Sequence, residues 1–451
     1  MPEKTSLSRR LARATRGVRI EDLPEAVRTK VKIALLDYLS CVFESLSLPQ
    51  SVQAMKVVSR AQGGPVTVIG TPLSVSASEA AFVNATLGHG LVREDMHTAS
   101  VSHLGTVIFP SLLALSQSKV IQGSDFLIAA ACAYEVGAAI GRALMDAEIV
   151  RIFRPTGITG PIGAAAGCAR MLDLSENATV SAIGFAANTT IGLNEWPRYG
   201  ADEMFFHAGF AARNAVTSAE LAELGALASE TALDGEAGLF ASLNRADRAA
   251  DVFPFHDGHF EILEVFHKPA GACNYAQTGT QAALALATEE ELHPAEIASV
   301  RVRCSAAALN YPGCNAPGPF DRVLQAKMSI RYCVASTLVK RSVDEVNFRD
   351  FRNREILRVM QATILEEDEA LTKAYPKAQG SEVIVTLRSG KTLKRYLYDL
   401  KPATESDVRA RYQRSAVAIL GRLATDIVEA TIDNLEDQQE IGVLGALLAA
   451  K

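Results

Sequence analysis

Paired cysteines are missing from this chain. Its seven cysteines, at positions 41, 132, 168, 273, 304, 314 and 333, are odd in number and form no C-x-x-C unit. Neither a zinc knuckle nor a disulfide framework is indicated, and scattered free thiols fit a reducing, cytoplasmic setting. There is no dense Lys/Arg block, and the formal net charge is −6, so nucleic acid has no electrostatic footprint to follow. No run reaches 18 uninterrupted apolar residues, and the basic N-terminal segment MPEKTSLSRRLARATRG lacks the apolar stretch of a secretory signal. No membrane partner is expected. Also absent are a G-x-S-x-G elbow, a P-loop and an H-E-x-x-H pair. GITGPIGAAAG (157–167) has the wrong glycine spacing for a dinucleotide loop, and no strand precedes it. His97 and His103 are six apart, poorly spaced for two ligands on one helix face. The expectation is therefore a protein without metal or organic cofactor.

What is present is material for a large interior: 451 residues, of which 48% are hydrophobic and 21% charged. The first two-thirds read as successive helices, near 24–45, 76–87, 110–118, 124–145, 159–172, 175–190 and 206–226. Many carry Gly, Ala and Ser where Leu would be usual, which suits close helix packing. From about 268 the texture changes. ASVRVRCSA (298–306) alternates like a strand, and 381–399 reads as a hairpin turning at Ser389-Gly390. Helices are expected at 276–287, 326–340 and 354–365, with the acidic run Glu366–Glu369 as a solvated helix end. After 400 helical periodicity resumes. The predicted fold is mainly α: a discontinuous all-helical domain (1–267 and 400–451) with a smaller α+β domain (268–399).

Chemistry concentrates in HGLVREDMHTASVSHLGTVIFP (89–110), which holds His89, His97, His103, Arg93, Glu94 and Asp95 between two packed helices. Such a density of proton-transferring and anion-binding groups without amphipathic period marks a candidate site. Arg151 and Arg154 stand at the entrance of a helix, where a guanidinium and the helix dipole suit a carboxylate. His207 precedes an Ala-rich helix, where a histidine is more often a packing residue than a catalyst. In HKPAGACNY (267–275), Lys268 lies at the texture change, placed to anchor an anion or, with its pKa lowered by burial, to exchange a proton. NYPGCNAPGP (310–319) reads as a lid or cleft wall.

Several of these stretches, in order, resemble the MmgE/PrpD family: DYLSCVFES, HGLVREDMH…SHLGTVIFPSLLALS, RPTGITGPIGAAAGCARML, FHAGFAARNAV, LDGEAGLF, HKPAGACNYAQT and AKMSIRYCVAS. The resemblance covers about residues 25–340. It implies a discontinuous helical domain plus a small α+β domain, a site at their interface, and homodimers. Where the family's dehydratases and decarboxylases carry D-F-D-D-T, this chain has Val92-Arg93-Glu94-Asp95-Met96. The histidine that follows matches His103, and the K-P-x-P lysine matches Lys268. The H-P-T-G histidine is Arg154 here, the lysine three before H-x-G is Met204, and a histidine nine after the K-P lysine is Gln277.

A permanent cation in place of a titrating group suits an anionic substrate with no leaving group to protonate. The resemblance so read implies an epimerase acting alpha to a carboxylate, as in iminodisuccinate epimerase, on a small di- or tricarboxylate. His103 and Lys268 would be its two bases, His97 and Asp95 an orienting pair or alternates, and Arg93, Arg154, His207 and Tyr275 would bind substrate. The alternative is a hydro-lyase like 2-methylcitrate dehydratase, or a decarboxylase.

Overall fold

Glycine and alanine set the geometry of the helical body. Helices Gly123–Leu144 and Pro155–Met171 run so close that a Cβ on Gly163 would lie 2.6 Å from the Ala133 carbonyl oxygen. One on Gly167 would lie 2.7 Å from that of Ala129. Any side chain there would push the pair apart, so the small-residue run GPIGAAAGCARM is a central bundle helix. Helices Gly105–Ser116 and Glu203–Glu223 pack against it, and Ala77–His89 and Glu25–Ser45 pack in turn on those. Among the described residues one helix, Gly123–Leu144, is long and apolar enough to cross a membrane, but 94% of its most apolar window is buried inside the protein. It is the core helix of the bundle. This computed structural model describes residues 5–450 apart from Gln62, Ile191 and Glu291.

The helix expected to open near Pro110 opens at Gly105 and carries Pro110 within it. The reason is a cap brought from a distance: the Asp95 carboxylate accepts from the Gly105 backbone N–H (3.2 Å to either oxygen). That satisfies a first-turn donor, and the single bond forfeited at Pro110 is tolerated in a helix buried along its whole length.

The smaller unit is built on a four-stranded sheet in the order Thr363–Glu367, Ile297–Cys304, Ser381–Leu387, Thr392–Leu397. The first two are parallel and the others antiparallel. In Ile297–Cys304 alternation places Val300, Val302 and Cys304 inward against helices Gln277–Glu289 and Ile330–Lys340. The segment expected to remain helical to 365 is helix only over Arg354–Gln361 and then turns into the edge strand Thr363–Glu367. Thr363 and Leu365 alternate inward, a two-residue period too short to displace a helical reading. The acidic run is correspondingly not a solvated helix end. Glu366 ends 3.3 Å from Arg301, and Asp368 pairs with Arg303 (2.5 Å) while capping helix Glu369–Ala374.

Two apolar cores result. One runs from Leu7 through Val265 and takes in Val408 to Leu448, because helix Glu405–Leu420 packs back on Glu25–Ser45. The other runs from Ala272 to Leu393 and draws Val92, Trp196, Met204 and Phe205 across from the helical body. The protein is thus mainly α with a smaller α+β part, and the cores meet at those four residues.

Candidate active site

The site is assembled by a two-residue ladder. Met96 and His97 pair antiparallel with Phe266 and Val265, which lays the 267–275 segment against the 89–103 loop. Lys268 follows two residues after that ladder. It is fully buried, and its Nζ donates to the carbonyl oxygens of Val92 and Ala272, the latter at 3.3 Å. Val92 has φ 58° and Val101 has φ 51°, a left-handed conformation that β-branched residues rarely adopt. The surrounding contacts hold that strain, and at Val92 it accompanies a carbonyl that meets the lysine.

Around Lys268 stand four more buried polar groups: His89, Glu94, His103 and Arg154. His89 closes helix Ala77–His89, and its Nδ1 lies 2.9 Å from Glu94 Oε1. An Arg154 Nη2 lies 2.9 Å from His89 Nε2, so that nitrogen accepts and the ring is neutral with its proton on Nδ1. Arg154 is the residue before Pro155 at the N-terminus of helix Pro155–Met171, and its guanidinium sits 5.2 Å over the Trp196 ring. The same helix end holds the second histidine, because Thr156 Oγ1 accepts from the His103 backbone N–H (3.1 Å). His103 Nδ1 donates to the Asp95 carbonyl oxygen at 2.8 Å and lies 3.3 Å from Glu94. Its Nε2 has no hydrogen-bond partner among the described residues. The cluster therefore holds one uncommitted ring nitrogen beside an arginine, a lysine and a helix N-terminus, an arrangement that suits a carboxylate and one proton-transferring base.

The charges tune one another. Burial first, and then Lys268, hold His103 well below the usual histidine range. Burial likewise lowers His89 and Lys268, with Glu94 opposing both shifts. Burial works to raise Glu94, yet His89, Lys268 and His103 together keep it ionised. Asp95 is pushed up to about 7, chiefly by burial, while its Tyr134 contact (2.5 Å) acts the other way. Neutral histidines beside an ionised Glu94 are mutually consistent.

Of the residues singled out in the sequence, the structure brings together His103, Lys268 and Arg154. His207 lies beside them: its Nδ1 is buried without a partner, and burial followed by Arg154 lowers it to about 4. The other four are placed elsewhere. Arg93 is turned toward helix Glu25–Ser45, where it makes two 2.9 Å bonds to Glu44 and one of 3.1 Å to Ser40; it ties loop to helix. His97 and Asp95 do not pair. His97 sits between Ser100 (2.9 Å) and Glu261 (3.0 Å), facing a different cleft, and the Asp95 carboxyl is committed to Tyr134 and Gly105. Tyr275 lies on the wall of a neighbouring cleft, its hydroxyl 3.1 Å from that of Tyr375. The 310–319 segment contributes Tyr311 and Pro312 to the same cleft wall.

Sequence reasoning passed over His89 and Glu94 as site members, although both lie in the dense stretch. The signal available was their position in a helix end and turn that have no other reason to be polar. Gln277 was also undervalued. Its amide accepts from Ala270 N–H and donates to the carbonyls of Ala270, Ala272 and Cys273, clamping the turn after Lys268. Among the described residues no group of three or more His, Cys, Asp or Glu is arranged to hold a metal ion.

Comparison with known proteins agrees with this architecture. Residues 9–250 match the MmgE/PrpD N-terminal domain and residues 271–434 the MmgE/PrpD C-terminal domain. A cis-aconitate decarboxylase-like protein of Aspergillus oryzae is 31% identical over 231 residues, 49% of this chain and 48% of that protein. The cis-aconitate decarboxylase of Aspergillus terreus is 26% identical over 230 residues, 49% of this chain and 47% of its own length. The chain thus aligns with about half the length of these fungal relatives. The mouse cis-aconitate decarboxylase is 24% identical over 98% of this chain and 93% of its own.

Proposed function

The chain belongs to the MmgE/PrpD family, and on that premise we propose that it is a lyase acting on a small di- or tricarboxylate. Its reaction is loss of carbon dioxide from an unsaturated substrate such as cis-aconitate, the compound on which its relatives are named decarboxylases. The observation that carries this reading is the free ring nitrogen His103 Nε2 within the cluster that holds the cations Arg154 and Lys268. In a β,γ-unsaturated acid the C–CO2 bond breaks and its electron pair forms a new C=C. The pair of the original double bond then takes a proton at its far carbon. That chemistry needs one proton donor at carbon and cations over the remaining carboxylates. His103 would deliver the proton, replenished from solvent, while Arg154 and the helix N-terminus behind it hold a carboxylate.

Epimerisation asks for two bases on opposite faces of one carbon. Lys268, the expected second base, is fully buried with its ammonium on two backbone carbonyls, which speaks against that role. Dehydration asks for an acid at the departing hydroxyl. The carboxyl of the 89–103 loop that is raised toward neutrality, Asp95, is turned to Tyr134 and Gly105. The test is incubation in D2O with cis-aconitate, 2-methylcitrate and iminodisuccinate separately, followed by proton NMR and a carbon dioxide assay. Carbon dioxide release from cis-aconitate, lost in His103→Ala, is the expected result. Deuterium wash-in on iminodisuccinate with drifting optical rotation and no carbon dioxide release would instead establish the epimerase.

A further inference from the structure

Beside the charged cluster lies a cleft of about 700 Å³ whose walls are the immediate sequence neighbours of the site residues. Thr98, Ala99 and Val101 come from the loop of His103, Val150 and Arg151 from the segment that leads to Arg154, and Tyr275 from the turn after Lys268. Tyr311 ties the two sets of segments together: its ring faces Tyr275 at 5.3 Å, and its hydroxyl accepts from Asn194 at 3.2 Å. Asn194 stands two residues after Gly192, whose carbonyl oxygen accepts from the Arg154 backbone N–H at 2.8 Å. Arg154 is also close enough to act on its titration. Cleft and cluster are built from adjoining segments of the chain, but their chemistry differs sharply.

Nearly every polar group of the cleft is already bonded within the protein. The Tyr275 and Tyr375 hydroxyls meet at 3.1 Å. Asp146 caps helix Ala147–Ile152 and receives Arg245, Glu148 pairs with Arg245 at 2.7 Å, and Asn310 donates to the Ala306 carbonyl. The exceptions are Thr98 and the exposed Arg151. The remaining surface is carbon, from Val101, Met145, Val150, Ala307 and the three tyrosine rings. A second carboxylate would find little to bind there, whereas a hydrocarbon chain would displace water from an apolar wall.

We propose that the substrate of this site carries an unbranched alkyl chain of several carbons, with its carboxylates on the His103–Arg154–Lys268 cluster and its chain along the Tyr275–Tyr311–Tyr375 cleft. The inference deepens the lyase reading above and rests on it for the location of the carboxylates. A compact carboxylate would leave this cleft empty, so chain length is the specificity variable.

Calorimetric titration of the full chain with 2-methyl-, 2-butyl- and 2-octylsuccinate tests it, alongside turnover of cis-aconitate. The dissociation constant should fall about fourfold per methylene until the cleft is filled, the increment for burying one such group. Ala307→Trp and Val150→Trp, each placing an indole in the cleft, should abolish the gain for octylsuccinate and leave methylsuccinate binding unchanged. Equal affinity for methyl and octyl compounds overturns the inference, as does no binding of either or a gradient that survives in both tryptophan variants. A gradient without carbon dioxide release from any unsaturated carboxylate overturns the lyase reading and leaves the chain-binding cleft standing. Release from cis-aconitate with no gradient does the reverse.

Discussion

His103 Nδ1 lies 2.8 Å from the backbone carbonyl oxygen of Asp95, a group that can only accept. The ring is therefore fixed with its proton on Nδ1 at every pH, and the proton that comes and goes does so on Nε2. Burial and Lys268 hold its titration well below the ordinary 6.5.

The sign of the pH dependence follows. If His103 gives a proton in the rate-limiting step, the active form is the protonated minority at neutral pH. Then kcat/KM falls about tenfold per pH unit across pH 6.5 to 8. If it removes a proton, the active form already dominates there and the profile is flat. The lyase reading predicts the falling profile, measured as initial rates of carbon dioxide release from pH 5.5 to 8.5. A plateau across that range would assign His103 as a base and return the reaction to α-deprotonation.

Arg154 is the expected carboxylate clamp, and its geometry makes lysine a poor substitute. One arm of the fork is 2.9 Å from His89 Nε2 and the plane rests over Trp196, contacts that an ammonium cannot reproduce together. Removing a buried, charge-assisted contact costs about 2–4 kcal/mol of binding. Arg154→Met should therefore raise KM for cis-aconitate by roughly two orders of magnitude, and Arg154→Lys should recover only part of that. A KM within about twofold of the parent, with a lowered Tm, would show Arg154 to be a structural end-piece of helix Pro155–Met171.

The helical body was legible because its signal is long and repeated: 20-residue apolar periods survive local exceptions. The edge strand Thr363–Glu367 was not, since five residues cannot outvote the helix that leads into them, and its partner Ile297–Cys304 lies some sixty residues away. The site shows the same division. Arg154 and Lys268 stand out from composition and local setting, and the family resemblance picks His103 out of its loop. Arg93 could not be told from them, because only the fold places Glu44 opposite its guanidinium. His97 and Asp95 failed to pair for a related reason: their partners, Glu261 and Tyr134, come from segments far along the chain. Sequence spacing reports which groups are near; it does not report which are already engaged.

Asp95 supplies a stability signature. Its carboxyl, near 3.9 in an unfolded chain, is raised to about 7 in the folded protein, chiefly by burial. Between those values the folded state binds more protons than the unfolded one, so stability contributed by this group is lost as pH rises from about 4 toward 7. Asp95→Asn keeps an acceptor for Tyr134 and Gly105 without an ionisation. The Tm of the parent should decline relative to Asp95→Asn as pH goes from 5 to 8. Glu135, also raised to about 7, titrates equally in both proteins and cancels in the difference. Parallel Tm curves would mean that Asp95 does not hold a proton in the folded state.

Lys268 and Glu94 are opposite charges buried in one cluster, alongside the cation Arg154. Lys268 is fully buried with its donors on Val92 and Ala272, and Glu94 is 1% exposed with His89 and His103 on one oxygen. Removing either charge leaves the other buried and uncompensated, a loss of about 3–5 kcal/mol in comparable pairs. Removing both takes out one charge of each sign and leaves Arg154 as the cluster's remaining charge. Lys268→Met and Glu94→Gln should each lower the denaturant midpoint strongly, while the double variant recovers well above the sum of the two losses, by chemical denaturation. The same variants carry a second readout, which a merely structural lysine would not move. Lys268 is the chief neighbouring charge that depresses His103, so its loss should carry the falling limb of the kcat/KM profile to higher pH. Glu94→Gln should carry it lower, because Glu94 acts in the opposite direction. Additive stability losses, or pH profiles unmoved in both single variants, would separate Lys268 from His103 and remove it from the site.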